Sequence, residues 1–223
     1  MSTISSIYPQ KLTLVPMFSS VLPNFVSKGR QFDHAIETYL RPDFSEARIT
    51  TITSFAKLET TICPQDTGTH PDDNTTTKKR PRDFYNSTMF RDGNKSVKVF
   101  RTGLHITGCN RFEDITNIIT NLTSTPPLSI DVQLLNILVN FNKDLFLHHL
   151  CERFRSTYDC LYDRDRYCGL RIKVPSIISP NKKTTLLLFP SGKAMITGIR
   201  HPEDIQNIHT NILSPIKYSD TRI

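Results

Sequence analysis

Residues 106–121 read ITGCNRFEDITNIITN and residues 196–211 read ITGIRHPEDIQNIHTN, so ten of sixteen positions are identical at an offset of ninety. Upstream, Phe100–Arg101–Thr102–Gly103 is echoed by Phe189–Pro190–Ser191–Gly192. A match that mixes Gly, Thr and acidic positions is a duplication rather than a compositional accident. A period of about ninety is too long for a solenoid unit and suits a small domain built twice. Two such copies are expected to pack as a pseudo-two-fold pair, and a pair of that kind suits a target that is itself roughly symmetric.

Residues 1–47 stand outside the repeat. Pro9, Pro16 and Pro23 divide them into short apolar pieces, and Phe32–Leu40 is expected to form a short helix. They read as an arm that packs on the body or on a partner. The first copy spans 48–125, the second 126–215, and 216–223 form a tail. Arg48–Ile62 alternates like a strand. Residues 64–82 are too polar to order themselves and end in Lys78–Lys79–Arg80–Pro81–Arg82, which reads as a flexible basic loop.

Phe84–Phe90 and Ser96–Phe100 read as strands joined by the turn Arg91–Asp92–Gly93–Asn94. Leu104–Thr107 reads as another strand. Ile115, Ile118, Ile119 and Leu122 recur at helical spacing over Phe112–Leu122. The second copy predicts a strand at Ile130–Asn142, a helix at Asp144–Ser156, strands at Tyr167–Val174, Thr184–Phe189 and Ala194–Thr197, and a helix at Pro202–Leu213. Several antiparallel strands followed by a helix, twice over, give an α+β chain with helices on one sheet face.

The charge balance is 28 basic against 21 acidic residues, net +7, which is compatible with a polyanionic partner without requiring one. Five cysteines without a CxxC pair fit reduced thiols better than a zinc site, and no metal or cofactor is expected. No stretch approaches eighteen consecutive apolar residues, so no membrane span is expected. His148 and His149 beside Cys151 and Glu152 lie on one predicted helix, where adjacent side chains diverge. With no Gly-rich phosphate loop or catalytic serine motif, an enzyme is not expected.

Longer strings carry a family likeness. TTLLLFPSGKAMITG (Thr184–Gly198), followed by an acidic-led helix, is similar to the second-repeat signature of the TATA-binding protein family. VKVFRTGLHITG (Val97–Gly108) resembles the matching first-repeat segment. DRYCGLRIKVP (Asp165–Pro175) resembles the strand ahead of the signature, and Leu135–Lys143 the first strand of the second repeat. The likeness covers roughly 48–215, is more specific in the second half, and is greatest for the divergent homologues of large DNA viruses.

That resemblance implies a pseudo-two-fold saddle: a curved antiparallel sheet with helices on its convex face, lying on the A·T-rich minor groove of double-stranded DNA. Paired aromatics would wedge between base steps and kink the duplex, at a cost of on the order of a few kcal/mol per unstacked step that added contact offsets. Carried over residue by residue, the wedges are Phe84, Phe100, Tyr167 and Phe189, each of which is also a candidate core aromatic. Thr107 and Thr197 match the threonines that face the bases, Asn136 matches the central asparagine, and Lys173 and Lys193 match phosphate contacts. Thr51 stands where the first repeat should carry its own central asparagine.

The likeness further implies a transcription initiation factor that works with a transcription factor IIB-like protein and an RNA polymerase, inside a nucleus or a cytoplasmic viral factory. A second reading keeps the saddle as a protein-interaction scaffold. In that case the aromatic face would be covered by residues 1–47 or by a partner.

Overall fold

A computed structural model describes residues 20–59, 87–123 and 125–219. The predicted loop 64–82 with its basic run, Phe84, residues 1–19 of the arm and 220–223 of the tail lie outside the described residues.

Among the described residues nine strands form one antiparallel sheet: β1 (Arg48–Lys57), β2 (Ser87–Asp92), β3 (Lys95–Phe100), β4 (Gly103–Cys109), β5 (Ser129–Asn140), β6 (Asp159–Leu161), β7 (Leu170–Pro175), β8 (Lys183–Leu188) and β9 (Lys193–Ile199). Their order is β2-β3-β4-β1-β5-β9-β8-β7-β6, so β1 and β5 join the two copies at the centre. β6 is too short to leave a period in the sequence. β7 opens at Leu170, three residues later than its aromatic-rich lead-in predicts, because the chain turns at Asp163–Tyr167, where the Tyr167 amide donates to the Asp163 carbonyl at 2.9 Å.

The pairing reproduces the duplication. Ile52 pairs with Cys109 as Leu135 pairs with Ile199, and Ser54 pairs with Ile106 as Ile137 pairs with Ile196. Between those pairs one residue of the inner strand, Thr53 or Asn136, faces two of the outer strand, Thr107–Gly108 or Thr197–Gly198. The repeated Ile-Thr-Gly is therefore a β-bulge. Its glycines sit at φ +85° and +81°, the left-handed region that L side chains avoid.

Strand alternation puts Val97, Val99, Ile106, Ile137, Leu186 and Ile196 on one face, all fully buried. That face is covered by α2 (Phe112–Leu122), α3 (Leu147–Phe154) and a continuous helical run of α4 (Pro202–Ile208), a π-helical segment (His209–Leu213) and α5 (Ser214–Tyr218). Ile115 and Ile119 of α2, and Ile205, Ile208 and Ile212 of the closing run, are completely buried. The duplicated Glu-Asp pair falls in the first turn of both helices, where the helix dipole favours negative charge. Each Asp also ties its helix to neighbouring strands: Asp114 reaches Lys95 at 3.2 Å, and buried Asp204 accepts from Ser176 Oγ and the Ile177 amide, both at 3.0 Å.

The arm is more helical than its prolines suggest. α1 (Val21–Ala35) starts ahead of Pro23 and runs on into a π-helical segment, Ile36–Leu40. Pro23 lies in the first turn, where its missing N–H would have had no helical partner. α1 packs on α2, α4 and β5, spanning both copies on the helical side. Phe25 and Phe32 bury their rings against Phe112, with centroids 5.3 and 5.7 Å away, each contributing about 1.5–3 kcal/mol by burial. Beyond it, Asp43 takes a hydrogen bond from Tyr218 and stands 2.7 Å from His209 Nε2, fastening the arm to the closing helix.

Burial pushes the Asp43 carboxyl up, but the hydrogen bonds from Tyr218 and His209, with the charges of His209 and Lys217, outweigh it and hold it below the usual carboxylate range. A carboxyl depressed in the folded state stabilises the fold above its unfolded pKa and loses that contribution as pH falls through the folded one. Asp43→Asn is therefore expected to melt at lower temperature than the native chain at neutral pH, with the gap closing as pH drops below the carboxylate range. Thermal melts followed by circular dichroism across pH check this.

The two bulge glycines give a graded pair. A Cβ on Gly198 meets nothing nearer than 3.6 Å, whereas one on Gly108 would lie 2.3 Å from the Asn94 carbonyl oxygen. Gly198→Ala should cost about 1–2 kcal/mol from backbone strain alone, and Gly108→Ala about 3 kcal/mol or more because backbone must also shift. Urea unfolding of both variants measures the difference.

Candidate nucleic-acid interface

The second face of the sheet carries no helix among the described residues. Two rows of side chains cross it. One runs Met89, Lys98, His105, Phe55, and the other Arg171, Leu187, Met195, Leu138, each residue directly opposite the next. Residues 20–47 lie on the helical side, so this described part of the arm does not cover the open face.

An aromatic pair stands at each end. Phe100 closes β3, and its ring centroid lies 6.4 Å from that of Phe55. Phe189 follows β8, its amide donating to the Lys193 carbonyl at 2.9 Å, and its ring meets Tyr167 edge-on at 6.1 Å. Tyr167 is 45% exposed, while Phe100 and Phe189 are half-buried. Phe84 is outside the described residues. Phe55 is a residue that sequence reasoning missed. It sits in a strand read only for its alternation, and its approach to Phe100 depends on Gly103, where a Cβ would fall 2.5 Å from the Phe55 ring.

Thr107 and Thr197 occupy equivalent places in the bulges. Their hydroxyls donate to the Ser96 and Thr185 carbonyls at 3.5 and 3.2 Å, so each is tied across its strand pair. Asn136 Oδ1 accepts from the Gly198 amide at 3.2 Å, which holds the second bulge and leaves the NH2 group without a partner among the described residues. Thr51 lies directly across the central ladder from Asn136, but the pairing makes nearly buried Thr53, not Thr51, the counterpart of Asn136. Counting residues from a single aligned string missed the bulges at Thr50 and Gln133 that shift the central register.

Lys193 is exposed at the start of β9, opposite Asn140. Lys173 is paired with Asp159 at 3.1 Å, and this link holds the Asp159 carboxyl below its usual range. Lys57, Arg91 and Lys98 add positive charge in the first copy, against Asp131 and Asp159. At the far end of the second copy Tyr167, Arg171 and Leu187, with Asp163 and Arg166, line a hollow of about 360 Å³. Arg171 Nε is buried there with no partner among the described residues, a state that costs about 1–3 kcal/mol and that an incoming acceptor would relieve.

The arrangement is a helix-backed sheet whose open face mixes apolar side chains with cations and carries paired rings at its two ends. Among the described residues no group of three or more His, Cys, Asp or Glu could hold a metal ion, and no helix is long and apolar enough to cross a membrane.

Residues 129–218 match the family model of transcription factor TFIID, or TATA-binding protein. Among solved structures the chain is similar to the TATA-binding protein of Methanococcus jannaschii, at 19% identity and a TM-score of 0.60, with 78% of this chain and 99% of that chain covered. No curated protein matches it in sequence. The match takes in β5 to α5, nearly all of the second copy, and the structural likeness extends the same fold over most of the chain. The chain is therefore similar to TATA-binding proteins, by the family model over residues 129–218 and by its fold over most of its length.

Proposed function

We propose that the protein is a transcription initiation factor that binds and bends promoter DNA from the minor groove. The observation that carries this reading is the open face itself: aromatic pairs at both ends of a sheet face of mixed apolar and cationic side chains that the described part of the arm leaves uncovered. The minor groove presents acceptors at every base pair and little else at A·T pairs, so apolar and threonine side chains can lie against it by shape. Phe100 and Phe189 are the wedges, Tyr167 and Phe55 back them, and Phe84 is a further candidate. Thr107, Thr197 and Asn136 sit toward the base edges, with Thr51 across the central ladder from Asn136. Lys173, Lys193 and the half-buried Arg171 side chain meet phosphate, positioning the duplex without reading it.

The helical side is then the surface for a transcription factor IIB-like protein and an RNA polymerase, in a nucleus or a viral factory. The scaffold reading requires the open face to be covered. The arm's described residues pack instead on the helices, which favours the DNA reading.

Phe100→Ala combined with Phe189→Ala is expected to abolish bending of an A·T-rich duplex while leaving the circular dichroism spectrum and melting temperature close to native. Energy transfer between dyes on the two duplex ends reads the bend, and unchanged transfer efficiency rules out these residues as wedges. Binding should also weaken with salt, log K falling with log salt by about 0.9 per phosphate neutralised. A duplex affinity indifferent to salt, or no duplex binding, supports the scaffold instead.

A further inference from the structure

The duplication allows the two halves of the open face to be compared position by position. Lys98, His105 and Phe55 stand opposite one another on β3, β4 and β1, and their counterparts Leu187, Met195 and Leu138 do so on β8, β9 and β5. The same two central positions therefore carry an ammonium and an imidazole in the first copy but two apolar side chains in the second. The flanking strands do not repeat the contrast, since Met89 lies opposite Lys98 and Arg171 opposite Leu187.

His105 is biased toward its neutral form. Burial and then the charge of Lys98 pull its pKa below the ordinary imidazole range, against a side-chain hydrogen bond with Gln133 that raises it. A neutral imidazole has one donor and one acceptor nitrogen, and Gln133 brings both a carbonyl and an amide to the same spot. Lys98 adds donors only. At these two positions the first half-face thus offers both kinds of hydrogen-bonding group where the second, with Leu187 and Met195, offers neither.

In the minor groove the donor that separates G·C from A·T is the guanine N2 amine. Pressed against Leu187 and Met195, that amine is stripped of water with no acceptor in return, a loss of about tenfold in affinity. Beside His105 and Gln133 it finds an acceptor, while Lys98 donates to neighbouring base or sugar oxygens. Resting on the minor-groove reading above, we propose that the two half-faces read different sequence: the second copy requires A·T pairs, the first accepts G·C, and the protein therefore seats an asymmetric promoter element in one direction.

The test uses the full chain and three duplexes: an all-A·T core, the core with one G·C pair in one half, and the core with one G·C pair in each half. A single G·C pair can be placed under the first copy whichever way the duplex enters, so its affinity should stay within about threefold of the A·T core, while two pairs should cost about tenfold or more. Lys98→Leu with His105→Met should keep affinity for the A·T core and lose about tenfold on the single-pair duplex. The reciprocal Leu187→Lys with Met195→His should bring the two-pair duplex to within about threefold of the A·T core, which decides the matter if the first variant proves unstable.

A single-pair duplex bound as poorly as the two-pair one, or variants that leave the ranking unchanged, overturns the proposal while leaving the minor-groove reading intact. Absence of binding to all three duplexes overturns both.

Discussion

The antiparallel ladder between β1 and β5 is the contact on which the rest of the molecule depends. It welds two half-sheets into one, and the fully buried Ile52–Leu135 pair marks the pseudo-two-fold point, because exchanging the copies exchanges Thr51 opposite Asn136 with Leu134 opposite Thr53. Side chains alternate with a period of two, so a slip of one residue at this seam would send Ile52 and Leu135 to the open face and the groove-facing residues into the helices. Bulges on either side, at Thr53 and Asn136, pin that register, and the Asn136 bond to the Gly198 amide fixes one of them.

Around this symmetric frame the copies have diverged. The second is backed by its own α3 and by a closing helical run, and it holds its bulge with an asparagine where the first has Thr53. α1 crosses from α2 to α4 on the back, and Asp43 fastens the arm to the end of the chain. The arm thereby ties the less regular first copy to the better preserved second. Among the described residues this stabilising material lies on the helical side, away from the open face.

Much of this was legible in the residues, and the exceptions share a cause. The helix Phe112–Leu122 was readable to the residue because its isoleucine spacing and its acidic first turn are local signals. The bulge glycines were visible as a repeated Ile-Thr-Gly, although their role became clear only with the pairing on the page. Phe55, His105 and Lys98 escaped notice because what unites them is register across three strands, a non-local property. The same limitation assigned Thr51 a place that belongs to Thr53, since bulges break residue counting. The prolines of the arm concealed α1, because a proline in a first helical turn looks like a break when read alone.

The central claim is that the open face, not the helical one, meets duplex DNA. Met89 and Met195 lie on that face, while Phe146, 65% exposed beside α3, lies away from it. Hydroxyl-radical oxidation of the full chain with and without an A·T-rich duplex, read by mass spectrometry, separates the two surfaces directly. The account predicts that duplex protects Met89 and Met195 and leaves oxidation of Phe146 unchanged. Protection confined to the helical side, with Met89 and Met195 oxidised as in the free protein, would contradict it.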